Sequence, residues 1–204
     1  MAVRPFSGTQ TRSRVPVLAT LMVAAAVSVL AGCGSSSSGS STGGDVKEFS
    51  PPGDIPDNQV FVRFTPPAGD VTIKVPEGWA RSESNGAVSF TDKLNTIQIQ
   101  SRPLPQAPTI QSVKSTELPQ VAQSMTNYQL QDVTSVDRSG GSAVLATYQA
   151  ASPVNNVTGK SVPDAFERYA FWKAGTEAVL TLSGPVGADN VDPWRLVSDS
   201  VTWR

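Results

Sequence analysis

The chain has 204 residues, with 16 Lys and Arg against 17 Asp and Glu, no histidine and a single cysteine. Its length suits one domain or at most two small ones. Arg4, Arg12 and Arg14 precede the first apolar run and no acid precedes Asp45, so residues 34–204 carry 13 basic and 17 acidic groups, a net charge of −4. That balance argues against a nucleic-acid-binding face and against a polybasic patch for anionic lipids, since both require clustered bases.

The N-terminal segment predicts a targeting signal. Three arginines are followed by an apolar run from Val15 to Gly32 that closes in small residues, which is the order of a secretory signal peptide. An uncleaved transmembrane helix is the alternative, because the run approaches the length that spans a bilayer. The Ala-rich composition and the small residues at the end favour the signal peptide.

The end of the apolar run, Leu30-Ala31-Gly32-Cys33, resembles the lipobox of bacterial lipoproteins. The resemblance implies that residues 1–32 are removed and that the sulfur of Cys33 carries a diacylglycerol. Each buried methylene contributes about 0.8 kcal/mol, so two or more acyl chains, such as palmitate, hold a protein firmly. The expected localisation is the extracytoplasmic face of the cell membrane, with Cys33 as a lipid anchor and no thiol left for a disulfide.

Residues 33–57 predict a flexible tether rich in Gly, Ser and Pro. Within it, Gly39 to Gly43 matches the Gly-x-Ser-x-Gly string of a hydrolase nucleophile elbow. That elbow requires a buried strand before it, a helix after it and a histidine elsewhere, and this chain supplies none of them. The match is a chance product of composition.

Residues 58–204 predict one folded domain, because every later periodic apolar segment lies there. Short alternating runs are typical of half-buried strands. The strands predicted in the first half are Val60–Phe64, Val71–Val75, Ala87–Thr91 and Thr96–Ser101, the last two forming a hairpin over residues 92–95.

A helix is predicted from Ile110 to Met125, where apolar residues keep a period of 3.6. Pro119 should kink or divide this helix, because proline lacks the N–H group and clashes with the preceding turn.

Strands resume after the helix and form two further predicted hairpins. Near the C-terminus, Asp192 is predicted as the N-cap of a short helix that starts with Pro193 and ends near Ser198. Hairpins with helices segregated in sequence predict a single α+β domain with an antiparallel sheet and helices packed on it. The later predicted strands are 128–137, 142–150, 168–173, 177–183 and 200–203.

The turn Val75-Pro-Glu-Gly-Trp79, the central helix and the ending Thr181–Arg204 resemble secreted actinobacterial lipoproteins with a PsbP/Mog1-like fold, of the LpqN type. The resemblance covers residues 58–204. It implies a binding or assembly factor and supplies no catalytic residue. We therefore expect a non-enzymatic binding module for an envelope or membrane protein, with no cofactor.

Catalytic chemistry has few candidates in this sequence. Without histidine there is no Ser-His-Asp triad, imidazole base or zinc site with nitrogen ligands. Paired carboxylates leave a carboxylate-dependent envelope hydrolase open as an alternative. Asp189 to Asp192 offers oxygen ligands for calcium, but it lacks the spacing of a calcium loop, and helix capping explains Asp192 without a metal. We expect no metal site.

The four tryptophans are the remaining candidates for a binding site. They could line a groove for a small hydrophobic or lipid ligand between sheet and helix, which is a second alternative function. The favoured interpretation places each one in the core or between the sheet and a helix, because aromatic side chains bury large areas. They are Trp79, Trp172, Trp194 and Trp203.

Overall fold

The computed structural model describes residues 51–154 and 159–204, which belong to one compact unit, 47–204. The predicted signal peptide, the lipobox with Cys33 and the tether as far as residue 50 lie outside the described residues, so they remain predictions. None of the helices in the described part combines the length and the hydropathy that a membrane crossing requires.

The described elements follow the predicted order of hairpins, helix, hairpins, helix and strand. The strands are β1 (Phe61–Phe64), β2 (Val71–Pro76), β3 (Ala80–Ser84), β4 (Ala87–Asp92), β5 (Asn95–Pro103), β6 (Gln129–Arg138), β7 (Gly141–Ala151), β8 (Pro163–Lys173), β9 (Thr176–Pro185) and β10 (Thr202–Trp203). The helices are α1 (Ile110–Ser112), a π-helical turn (Val113–Glu117), α2 (Leu118–Gln123) and α3 (Val191–Asp199).

Two antiparallel sheets form the domain. The larger has seven strands in the order β3-β4-β5-β9-β8-β7-β6, and the smaller has three in the order β1-β2-β10. The helices pack on this framework, so the predicted α+β class with an antiparallel sheet is confirmed.

The main hydrophobic core lies between the two sheets. The small sheet and α3 cover one face of the large sheet, which we call the core face. Its largest contributions come from alternating residues of the large sheet, such as Ile99, Leu180 and Phe171, together with Ile73 from β2 and Trp194 from α3. The period of two along each strand places these side chains on one face.

The opposite face of the large sheet, which we call the helix face, is covered by the helical segment 110–123. Val113 and Leu118 of this segment pack on Val133, Ala146 and neighbouring apolar residues of β7 and β8. Position 119 is proline, and α2 begins beside it, immediately after the π-helical turn. Pro119 was predicted to kink or divide the helix, and the segment changes from π-helical to α-helical beside it while its backbone stays helical.

The strand β3 was not predicted. All five of its residues are exposed, and its sequence, Ala-Arg-Ser-Glu-Ser, has no apolar alternation. It lies at the edge of the large sheet and pairs only with β4. Edge strands of this kind give no hydrophobic signal, because neither face is buried.

The predicted cap of the last helix is wrong. α3 begins at Val191 with Asn190 as its N-cap, and Asp192 lies in the first turn. Asn190 does not cap through its side chain, because that amide holds the chain before β1. Its Oδ1 accepts from the N–H of Ile55 at 2.8 Å, and its Nδ2 donates to the carbonyl of Gly53 at 2.9 Å.

Packing therefore begins inside the segment predicted as tether. Ile55 is buried in the main core, although the predicted folded domain began at residue 58. Asn95 also donates to the Gly53 carbonyl, at 2.9 Å, and Gly184 lies so close to Asn95 that a Cβ atom there would be 2.3 Å from its Oδ1. Glycine at 184 is required by this close approach. The segment was predicted as a tether because it is rich in Pro and Gly, and a single isoleucine gives no periodic apolar pattern.

Candidate functional site

The β1–β2 hairpin places two cations side by side on its outer face. Arg63 lies directly opposite Lys74 in the antiparallel register, and both are exposed. The neighbouring Ile73 and Val75 point inward and are buried, which fixes the outward direction of Lys74. Like charges directly opposite each other destabilise a strand pair. Among the described residues, no ion pair forms with either cation at 4.0 Å or less.

The C-terminal end of α3 lies beside this pair. The Ser200 hydroxyl donates to the carbonyl of Val197 at 2.7 Å and accepts from the N–H of Lys74 at 2.7 Å. The strand β10 pairs only with Val71 and Thr72, so at Lys74 the hydroxyl takes the place of a neighbouring strand. These bonds hold α3 against β2 and leave a recess between them.

The recess is an open groove of about 360 Å³, which we call the α3 groove. It is lined by the cation pair, by the hydroxyls of Thr72, Ser200 and Thr202, and by Leu196, whose exposure is 40%. Ligand pockets start at about 300 Å³. Two cations, hydroxyls and one apolar side chain can bind an anionic and partly apolar group.

Asp199 also lines the α3 groove, but its carboxylate is committed elsewhere. Its Oδ2 accepts from Arg195 Nε at 2.6 Å, and its Oδ1 lies 3.7 Å from Arg138 Nε. Arg138 comes from β6 and also donates to Ser198 at 3.1 Å. Asp199 therefore joins α3 to the large sheet and leaves the groove with a positive excess.

A second group of charges lies on the helix face and forms what we call the buried cluster. Glu117 of the π-helical turn binds two arginines through one oxygen, with Arg168 Nη2 at 2.9 Å and Arg102 Nη2 at 3.1 Å. Arg102 Nε donates in turn to Glu177 Oε2 at 2.5 Å. Three strands of the sheet and the helical segment are thus joined by alternating charges.

Solvent has little access to the buried cluster. Side-chain exposure is 0% at Glu177, 10% at Glu117 and 15% at Arg168, and only Arg102 reaches 40%. Burial raises the pKa of Glu177, and the hydrogen bond from Arg102 opposes that rise. Glu177 Oε1 and Arg168 Nε have no hydrogen-bond partner within the described residues. The two carboxylates face arginines under the helical segment and not an open cleft.

Aromatic side chains extend the helix face beside the buried cluster. Tyr148 stacks on Phe166 with ring centroids 4.8 Å apart and lies 5.1 Å from Tyr128. Tyr148 is 1% exposed, and this burial raises its pKa to about 12. It is therefore neutral at physiological pH and acts as a packing residue.

The tryptophans occupy structural positions. Trp194 is buried between α3 and the large sheet, and Trp79 and Trp203 pack against the main core. Trp203 Nε1 also donates to the carbonyl of Gly140 at 2.9 Å, and Trp172 Nε1 donates to that of Leu104 at 2.8 Å. The interpretation that a tryptophan fills the core or lies between the sheet and a helix is confirmed for Trp194, while Trp79 and Trp203 are half-buried against the main core.

The segment Asp189–Asp192 does not gather ligands for calcium. The N–H of Asp189 donates to Asp54 Oδ1 at 2.9 Å, and the Asn190 amide holds Gly53 and Ile55. Within 51–154 and 159–204, no three His, Cys, Asp or Glu residues are grouped so that they could hold a metal ion. The predicted lipidation site, Cys33, lies outside the described residues.

Sequence reasoning missed both the cation pair and the buried cluster. Arg63 and Lys74 each occupy an outward position of a predicted strand, but only the register shows that they are opposite. Arg168 and Glu177 directly precede the apolar runs of β8 and β9, and charges placed beside such runs were a usable signal of paired charges in a buried environment. Glu117 gave no such signal, because it lies on an otherwise polar stretch of helix.

Several solved structures are similar to this chain. The cyanobacterial PsbP of Synechocystis matches 74% of this chain and 98% of its own, at 15% identity and a TM-score of 0.48. The Ran-binding protein Mog1p of Saccharomyces cerevisiae matches 70% of this chain and 87% of its own, at 10% identity and a TM-score of 0.45. LpqN, involved in cell envelope biogenesis of Mycobacterium tuberculosis, matches 72% and 92%, at 14% identity and a TM-score of 0.40.

The likeness to these structures concerns the fold alone at such identities. A Bacteroides thetaiotaomicron protein is also similar over 70% of this chain, at 11% identity and a TM-score of 0.47, and the chain spans about half of that protein, 48%. No known family model matches the chain, and no curated protein is similar to it in sequence.

Proposed function

We propose that this protein is a lipid-anchored, non-enzymatic binding module that docks an envelope protein at the extracytoplasmic face of the cell membrane. The observation that carries the binding role is the α3 groove with the cations Arg63 and Lys74, which form no ion pair within the part of the chain that the structure describes. The lipobox ending in Cys33 supports the anchor. Anchoring supports binding, because it raises the effective concentration of the domain for a neighbouring partner.

The residues of the buried cluster favour binding over hydrolysis. A glycosidase needs two carboxyl groups that flank an accessible bond. Glu117 and Glu177 are each bound to arginine, and their side chains are 10% and 0% exposed. The roles of Mog1p and LpqN belong to those proteins, and the proposal for this chain stands on its own residues.

The anchor is tested by Cys33→Ser in the full chain, expressed in a bacterium that processes lipoproteins. The wild type should partition into the detergent phase of Triton X-114 and carry a mass consistent with acylation. The variant should remain a precursor or leave the detergent phase. Ser37→Ala, a change of similar size in the tether, should behave as wild type. If Cys33→Ser is processed and partitions normally, the anchor is wrong.

The binding role is tested by photo-crosslinking in intact cells. A photoreactive residue at Leu196 should crosslink to one defined envelope protein, and the same residue at Lys173, the exposed last residue of β8, should not. Turnover of an ester or glycoside by the purified protein, lost on replacing one acid, would place the protein among enzymes.

A further inference from the structure

We infer that the α3 groove binds an acidic, extended segment of a partner protein, with Arg63 and Lys74 contacting its carboxylates and Leu196 contacting an apolar side chain. The inference rests on the proposed binding function and names the chemistry of the partner.

The cation pair supports an anionic occupant. Arg63 and Lys74 are exposed on adjacent strands, directly opposite each other. The nearest acid in the groove, Asp199, is already bonded to Arg195. The α3 C-terminus, with its partial negative charge, offsets part of the repulsion at Lys74. A carboxylate placed between the two cations removes the remaining repulsion and forms charge-assisted hydrogen bonds.

The rest of the groove supports an extended peptide as the occupant. Thr72 and Thr202 lie opposite each other across β2 and β10, and their hydroxyls line the groove with that of Ser200. The Ser200 hydroxyl already donates to the Val197 carbonyl, and the Thr202 hydroxyl donates to the Thr72 carbonyl at 3.3 Å, so each offers an extended backbone a remaining acceptor lone pair for its N–H groups. Leu196 provides an apolar contact, which in an extended chain is met by a residue next to an acid.

Charge and shape favour a protein segment over the membrane surface. Residues 34–204 carry a net charge of −4, which repels a bilayer of anionic lipids. The two cations lie in a recess beside α3, where a peptide can enter. A lipid headgroup would satisfy the cations but leave Leu196 without an apolar partner.

The experiment measures binding of a fluorescent peptide to the purified full chain in detergent by fluorescence anisotropy. The probe alternates Glu and Leu over six residues, and the matched peptide replaces each Glu with Gln. The groove variant combines Arg63→Glu and Lys74→Glu. The control variant combines Lys93→Glu and Lys173→Glu, which makes the same change in net charge outside the groove. Vesicles containing phosphatidylglycerol are the third probe.

The acidic peptide should bind the wild type at least about tenfold more tightly than the Gln peptide, with an affinity that falls as salt rises. The groove variant should lose that preference, and the Lys93/Lys173 variant should keep it. The inference would be overturned if both variants lost the preference equally, or if the wild type did not bind the acidic peptide. It would also be overturned if the wild type bound vesicles but not the peptide and the groove variant lost the vesicle binding. If the protein is anchored and crosslinks at Leu196 but does not prefer the acidic peptide, the proposed function stands and the inference of an acidic partner is wrong.

Discussion

The two faces of the seven-stranded sheet are covered in different ways. On the core face, seventeen buried apolar side chains form one cluster, contributed by both sheets, by α3, and by Ile55 and Val201 outside them. On the helix face, the corresponding cluster has six, and only Val113 and Leu118 come from the helical segment. The helical segment is held in addition by the ion pairs of Glu117 with Arg102 and Arg168.

This difference indicates that stability and local mobility are divided between the faces. Apolar burial contributes roughly in proportion to area, so most of the free energy of folding comes from the core face. Buried ion pairs contribute little net stability, since desolvation offsets their attraction, but losing one partner is costly. We therefore expect the helical segment to open at a lower free energy than the core strands.

The largest expected effect compares the same substitution on the two faces. Leu180→Ala on the core face should lower the free energy of unfolding by about 3–4 kcal/mol, because it leaves a cavity between two sheets that cannot collapse. Leu118→Ala on the helix face should cost about 2 kcal/mol, because the helical segment can settle into the space. Both leucines are buried, with exposures of 0% and 3%. Urea unfolding measures both values.

A loss of stability in Leu118→Ala that equals or exceeds the loss in Leu180→Ala would contradict this comparison. If Leu118→Ala costs as much as Leu180→Ala, the helical segment is as firmly integrated as the small sheet. Amide hydrogen exchange gives an independent check, since residues 110–123 should exchange faster than β9 in the unsubstituted protein.

The second prediction concerns the charges that hold the helical segment. Glu117→Gln should cost about 1–3 kcal/mol, because Arg168 is then left buried with a neutral partner. The control is Glu83→Gln, whose pair with Arg81 lies on exposed β3, with side-chain exposures of 46% and 50%. That change should cost less than about 0.5 kcal/mol. Similar losses in the two variants would show that the buried cluster contributes no more than a surface pair.

The core face was largely predictable from sequence, because its strands alternate. Val71, Ile73 and Val75 gave the inward face of β2, and the hairpin residues Ile97 and Ile99 gave that of β5. The period of two is a direct consequence of strand geometry, and it survives in any sheet with one buried face. β3 escaped prediction because it buries neither face.

The candidate site was less predictable, because it depends on contacts between distant segments. Arg63 meets Lys74 only through the register of β1 with β2, and Ser200 reaches Lys74 across 126 positions. The buried Ile55 lay hidden among Pro and Gly residues, whose composition indicates a tether. Periodicity reports which way a side chain points and not which strand lies beside it.

The smallest expected effect is a pH-dependent change in stability from a buried acid on the helix face. Asp164 on β8 is 5% exposed, its Oδ1 has no hydrogen-bond partner within the described residues, and burial raises its pKa from 3.8 to about 6. The folded state thus binds a proton more tightly than the unfolded state, so this group stabilises the fold below pH 4 and loses that contribution as pH rises through 6.

Asp164→Asn keeps the shape and removes the charge, so it should be more stable than wild type by about 1–2 kcal/mol at pH 7.5. The difference should shrink between pH 6 and pH 4, as measured by urea unfolding of both proteins across that range. Asp137→Asn, an exposed change on β6, should show no such pH-dependent gain, and a constant difference for Asp164→Asn would mean that its carboxylate is solvated in the folded protein.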